Sequence, residues 1–532
     1  MRIRIFIAIC LAVISSSLLV TYVSAQETTR LTVSVVASGG APVATLSKAD
    51  FSVQDSGKAR AITGFLVPGS YLAKPVELGP SAFTNATDVT QSGAVFVVLD
   101  TIHTRYLDER DMRDLTLRFL GKASQAGHAV TLAIMSDKGL KVYHDFRTGP
   151  EVLLAALLKA GLGGMKGAAP PAGVKDSEVA AEAARLTAFA KGDLSNATPP
   201  EKLLRANIDA PLLMFQDVAH AATGLPGRKA LVWITNAVPF DINTKTMQFQ
   251  SPQEANRGVP VNRVAAGGTK DALSGDDIKR LMPVWRKSIH DLAFSGVAVY
   301  PVEARGASSS GSNTFTISVM RTLAPLTGGK AFYGTNDPFP ELLQISNGNT
   351  TGYVLSYASD DAANGTDFRR VDVSVNNGNL TVYDPAGYFP GQPVAKLNPG
   401  PDIVMAMQSP LDYTGIIFRV EIGKIEEGSA GKKKVNLVIG LAGDSGVLNE
   451  ALRKVDIGIL AVATNAKGEQ VGKMNEGAGG QFPLEAVQQI KELGFQLKRA
   501  MEVAPSDCTV HFVIRDNQTG QMGSLSFPLQ VP

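Results

Sequence analysis

Apolar positions change period along this chain, from every second residue to helical spacing and back, and the changes mark out its parts. From Arg30, Leu-Thr-Val-Ser-Val-Val, Pro42 to Leu46, Phe51-Ser-Val-Gln-Asp and Ala61-Ile-Thr-Gly-Phe65 alternate between glycine-rich turns, which predicts a short β-meander. So few strands cannot close a sandwich. Tyr353–Tyr357, Arg370–Val375 and Leu380–Tyr383 alternate in the same way and are expected to supply the missing strands. Between Gly93 and about Ser346 the pattern is instead one of buried strands separated by helices. Ala94–Asp100, Ala129–Met135, Leu140–Phe146, Lys229–Ile234, Val297–Val302 and Lys330–Tyr333 read as strands; Asp108–Leu120, Val152–Lys159, Ala210–Ala222, Lys279–Phe294 and Phe315–Leu326 read as helices.

Alternation returns beyond Pro385 with Ile416–Glu421, Lys434–Ile439, Val455–Leu460, Thr509–Ile514 and Leu525–Val531, and a helix is expected over Leu484–Met501. The predicted class is α/β plus β: a doubly wound α/β domain inserted in a β-sandwich, followed by a C-terminal β-sandwich. The expected boundaries are 28–85 and 348–392 for the two parts of the first sandwich, 92–347 for the α/β domain and 400–532 for the last domain.

Residues 1–25 read as a secretory signal: Arg2 and Arg4 precede an apolar stretch to Val20, and Val23-Ser24-Ala25 fits the small-residue cleavage pattern. Removing two arginines takes the formal charge from +2 to zero, so nothing points to nucleic acid. No membrane span is expected after signal removal, and the mature chain is expected in the periplasm or outside the cell. It keeps Cys508 alone, which can form no internal disulfide.

The stretch richest in chemistry is Val98-Leu-Asp-Thr-Ile-His-Thr104, an apolar strand that ends in a carboxylate and hydroxyls, where open α/β sheets place their ligands. It resembles the first strand and metal loop, Asp-x-Ser-x-Ser, of a von Willebrand factor A domain. Pro42–Phe51, Leu323–Tyr333, Tyr353–Tyr357, Gly387–Phe389 and the stretch from Arg515-Asp516 to Gly523-Ser524 follow in the order seen in secreted bacterial von Willebrand factor A-related proteins. The resemblance implies a Rossmann-like domain that binds a protein partner and is not a catalyst. It also implies a metal-dependent adhesion site with Asp100 and Thr104 as donors. Ile102 stands where the first serine should be, and Thr235-Asn236 where a second acid should be; for the family's loop threonine, Thr198 and Thr223 are the alternatives. The site is therefore expected to be degenerate, with no cofactor beyond a weakly bound Mg2+.

The resulting expectation is an exported adhesion protein, with Asp100, Thr101, His103, Thr104, Thr235, Asn236 and Glu303 as partner-binding loop residues and no catalytic residue. Two other readings stand beside it: an extracytoplasmic hydrolase using Asp100 and His103, or a structural envelope protein with no discrete ligand. Gly443–Gly446 reads as a turn, Lys432–Lys434 as a solvated hairpin tip, and Trp233 and Trp285 as core. His128, His144, His220, His290 and His511 show no ligand spacing.

Overall fold

The computed structural model describes residues 28–532 apart from 39–40, 68–77, 80, 87–92, 105, 166–168, 193–207, 251–274, 304–313, 336–337, 339, 344–351, 360–365, 392–398 and 444. The signal segment and Thr198 lie outside the described residues. Strand accounts for 39% and helix for 29%, so the chain is β-rich and spread over several sheets. None of the described helices is long and apolar enough to cross a membrane.

The chain opens with β1 (Thr28–Ala37), β2 (Phe51–Asp55), β3 (Lys58–Arg60), β4 (Ile62–Leu66) and β5 (Ala82–Thr84). Then come β6 (Val95–Asp100), α1 (Tyr106–Gln125), β7 (Val130–Ser136), β8 (Gly139–His144), α2 (Pro150–Ala160), α3 (Asp176–Lys191), α4 (Ala210–Ala222), β9 (Lys229–Ile234), β10 (Asp241–Ile242), β11 (Phe249–Gln250), α5 (Gly275–Ser295), β12 (Val297–Val302) and α6 (Thr314–Leu326). Four strands follow: β13 (Gly352–Ala358), β14 (Arg369–Val375), β15 (Leu380–Tyr383) and β16 (Gly387–Tyr388). The last part comprises α7 (Pro399–Gln408), β17 (Phe418–Glu427), β18 (Lys433–Leu441), β19 (Leu448–Asn449), β20 (Lys454–Asn465), β21 (Gln470–Gln481), α8 (Leu484–Leu493), β22 (Phe495–Val503), β23 (Ser506–Asp516) and β24 (Met522–Val531).

Strands distant in sequence share the first two sheets, ordered β15-β1-β13-β4 and β16-β14-β2-β3. β1 pairs with β13 from Thr28↔Ala358 to Ser34↔Gly352, and β2 pairs with β14 from Phe51↔Val375 to Asp55↔Val371. Leu31, Val33 and Val35 from one sheet meet Phe51, Val53, Val371 and Val373 from the other in one apolar cluster.

The third sheet runs β12-β9-β6-β7-β8, its first four strands parallel and β8 antiparallel at the edge. Its four parallel strands are buried on both faces, as the unbroken apolar runs require. Phe96, Val98 and Trp233 pack with α4, α5 and α6, whereas Val95, Val97 and Val232 pack with α1, α2 and α3. Lys330–Tyr333 does not form a strand of its own; Phe332 makes a single parallel bridge to Val302.

The last sheet follows the order β24-β23-β20-β21-β22-β18-β17-β5. β21 and β22 are paired only at Gly472↔Val503, so the sheet divides there into two layers that share one core, with the Phe418 and Phe512 rings 5.7 Å apart. The expected 28–85 segment is cut short here: Ala82–Thr84 pairs with Glu421–Arg419 of β17 and belongs to this last sheet. The helix expected over Leu484–Met501 also stops early, because Gly494 takes φ +69° and its N–H closes on Ile490. A Cβ at Gly494 would sit 2.2 Å from the Leu441 carbonyl oxygen. Gly494→Ala is thus expected to lower urea stability of this domain by about 1–3 kcal/mol, from left-handed strain plus overpacking; an unchanged midpoint would refute the clash.

A short segment fastens the α/β unit to this last domain. Thr414 N–H donates to the His220 carbonyl (3.1 Å), its hydroxyl donates to the Ala221 carbonyl (2.7 Å), and the same oxygen accepts from Gly224 N–H (2.8 Å). On the other side, the Asn85 amide donates to the carbonyls of Tyr413 and Ile416 and its oxygen accepts from Phe418 N–H. The joint is held mainly by the Thr414 and Asn85 side chains bonding backbone groups on either side.

Candidate functional site

Asp100 is the last residue of β6, beside Met135 of β7, and Leu99 lies opposite Ile234 of β9. Thr101 turns toward β7, donating both N–H and hydroxyl to the Met135 carbonyl at 3.0 Å. The chain then wraps around the Asp100 carboxylate. Its Oδ1 accepts Ile102 N–H and His103 N–H, each at 3.0 Å, which is an Asx-type turn. Its Oδ2 receives His103 Nδ1 at 2.8 Å and the Thr235 hydroxyl at 2.9 Å. Thr235 Oγ1 also lies 2.9 Å from the Ala237 carbonyl, but it has one proton, and the charged acceptor makes the stronger bond.

An ionised carboxylate offers about four lone-pair sites, and here four protein donors point at them. All of this is buried: Asp100 and Thr235 are 0% exposed, Glu303 2%, Asn236 5%, and His103 and Thr104 6%. Of the side chains expected to present themselves to a partner, all but the half-buried Thr101 therefore lie beneath the surface. Glu303 is carried to the same sheet end: Thr235 N–H donates to the Val302 carbonyl and Glu303 N–H to that of Phe332. His103 Nε2 and Thr104 Oγ1 are buried without a hydrogen-bond partner among the described residues. Thr223, one alternative for the loop threonine, is elsewhere, at the end of α4, donating to the Ala219 carbonyl.

Mg2+ needs near-octahedral oxygen coordination, whereas both Asp100 oxygens are already engaged. Ile102 is 5% exposed and packs in the apolar core with Phe96 and Met135. Among the described residues no group of three or more His, Cys, Asp or Glu side chains could hold a metal.

Two other polar clusters were not legible in the sequence. His144 Nδ1 lies 2.7 Å from Glu182 Oε1, joining β8 to α3, and Arg185 bonds the second Glu182 oxygen. Burial pushes the Glu182 carboxyl up, but His144 and Arg185 together outweigh it and hold it below its ordinary value. At the joint, the Tyr413 hydroxyl donates to Asp217 Oδ1 at 2.5 Å, and the His220 ring stacks on Tyr413 at 4.9 Å beside the Lys287–Asp291 pair at 2.6 Å.

No family model matches the chain, and no curated protein does. Among solved structures, a mutant of the PilB minor pilin from Streptococcus sanguinis is similar over 48% of this chain and 62% of that one, at 12% identity and TM-score 0.25. The pilus adhesin SpaC from Lactobacillus rhamnosus GG, in an open conformation, is similar over 91% of this chain and 56% of that one, at 9% identity and TM-score 0.27. A glycosyl hydrolase family 2 member from Bacteroides cellulosilyticus is similar over 34% and 20%, at 10% identity and TM-score 0.16. The chain thus spans less than two thirds of each of these proteins, and likenesses this low carry no argument about fold or activity.

Proposed function

We propose that this chain is an exported, non-catalytic binding protein, in which a von Willebrand factor A-type unit is inserted in a β-sandwich and followed by a second one. In this reading the unit engages a protein partner with the sheet end that follows Leu99, Ile234 and Val302, without a metal ion. The strand order β12-β9-β6-β7-β8, with helices on both faces and the reversed strand at the edge, supports the domain type. The observation that carries the metal-free reading is the Asp100 carboxylate with its four internal donors. Loop shape at the sheet end is then set by protein hydrogen bonds, and engagement does not wait on an ion.

Calorimetry on the mature chain tests this. Added Mg2+ or Mn2+ is expected to give no saturable heat below about 1 mM and to leave the melting temperature unmoved, since ligand stabilisation grows only as the logarithm of concentration over dissociation constant. Micromolar Mg2+ binding that disappears in Asp100→Ala would overturn the reading.

The hydrolase alternative starts from the same 2.8 Å contact, which leaves His103 Nε2 as the free base of an Asp-His pair. Among the described residues that nitrogen bonds no serine, threonine or cysteine, and it is closed to solvent. Turnover of an ester, peptide or glycoside substrate that His103→Ala abolishes would reverse the ranking.

A further inference from the structure

A cavity of about 510 Å³ opens where the sheet containing β14 meets the end of α6. That volume lies within the roughly 300–1,000 Å³ of small-molecule sites. Arg370 and Asp372 of β14, Tyr383 at the end of β15, and Asp384 line it, over the backbone of Gly328 and Gly329. It is separate from the Asp100 cluster and shares no residue with it.

The charges in this cavity are only partly answered by the protein. Arg370 and Asp372, two apart on one strand, emerge on the same sheet face and are both exposed. They make no ion pair with each other. Asp384 accepts one hydrogen bond from Val373 N–H at 3.1 Å. Burial raises its carboxyl to about 6; the Val373 N–H and the Arg228 guanidinium pull it back down, while Asp372 pushes it further up. Arg228 acts on Asp384 through its charge alone: its terminal nitrogens donate to the carbonyls of Tyr383 and Gly328, and no hydrogen bond joins it to the carboxylate. A cation entering the cavity would relieve both carboxylates. A bare cation would also meet Arg370, and a bare anion would meet two carboxylates; a ligand carrying both charges suits all three groups.

We propose that this cavity binds a small zwitterion, a free amino acid or dipeptide, with its ammonium group on Asp372 and Asp384, its carboxylate on Arg370, and the Tyr383 ring against its body. Charge-assisted bonds of this kind are the strong ones, and the guanidinium favours a bidentate carboxylate.

The probe is alanyl-alanine, compared with its N-acetyl and C-terminal amide forms, titrated into the mature protein and followed by NMR shifts and calorimetry. Saturable binding in the range of about 0.1–5 mM is expected, weakened about tenfold or more by acetylation and severalfold by amidation. Asp372→Asn should weaken the dipeptide about tenfold, and Arg370→Gln should weaken the dipeptide but leave the amide unchanged. Both variants alter exposed strand positions, so a native spectrum is expected and separates lost binding from lost folding. No saturable binding below about 10 mM, equal binding of the three probes, or full binding by both variants would overturn the proposal. So would stoichiometric displacement of the dipeptide by a neutral disaccharide, which would make the cavity a sugar site.

Discussion

Asp100→Ala is expected to destabilise the α/β unit by about 3–5 kcal/mol, and by the same amount in chelator as in Mg2+. The substitution strands Ile102 N–H, His103 N–H, His103 Nδ1 and the Thr235 hydroxyl in a site that is 0–6% exposed. Each abandoned buried group costs roughly 1–3 kcal/mol, moderated by relaxation and by the Thr235 hydroxyl returning to the Ala237 carbonyl. An adhesion site built for a metal predicts the opposite sign in chelator, because a carboxylate held ready for an ion lacks internal donors. Both tryptophans of the chain, Trp233 and Trp285, lie in the core of this unit, so fluorescence-detected urea unfolding reads it directly. A variant as stable as the parent in chelator, or destabilised only when Mg2+ is present, would mean that the four bonds do not hold the loop.

Asp100 and Thr235 were legible because each ends an unbroken apolar run, and such runs in an alternating α/β pattern become neighbouring parallel strands whose ends coincide. The role of His103 was not. The residue was expected to face a partner or to serve a hydrolase, but a side chain three residues after an aspartate is within reach of an Asx turn, and its ring closes on the carboxylate that began the turn. Ile102 carried its own message: an apolar residue in a polar motif signals core, and it is packed there.

The misreadings elsewhere have physical causes. Leu484–Met501 continues a helical spacing past Gly494, so periodicity alone could not show that Phe495–Val503 leaves the helix to pair with Lys433–Leu441. β21 escaped notice because Gln470–Gln481 holds four glycines and little alternation; its strand form is imposed by pairing along β20. The placement of Ala82–Thr84 beside β17 depends on Asn85 gripping Tyr413, Ile416 and Phe418 more than 300 positions away, and no local pattern encodes such a contact.

The same limit hid the titrating pair at the joint, where opposite pH slopes are expected to cancel in the parent and to appear one at a time in variants. Burial lifts the Asp217 carboxyl to about 6, even though the Tyr413 and Ser409 hydroxyls bond its charged form. A carboxyl raised on folding adds stability at acid pH and loses it as pH rises from about 4 through 6. His220 is pushed down to about 4 by burial, with Lys287 acting the same way and Asp291 against it. A histidine depressed on folding stabilises above about 6.5 and loses that contribution as pH falls toward 4. The windows overlap and the signs oppose. Asp217→Asn keeps an oxygen for the Tyr413 hydroxyl and leaves the histidine slope alone, so this variant should lose about 2–3 kcal/mol as pH falls from 6.5 to 4, at about 1.4 kcal/mol per pKa unit. His220→Gln should instead lose a similar amount as pH rises from about 4 to 6. Tryptophan-detected urea midpoints at pH 4.5 and pH 7 measure both. Because Asp217 and His220 sit on α4 against Tyr413, two variants with the parent's flat profile would mean that water reaches the joint and that the last domain is not sealed onto the α/β unit there.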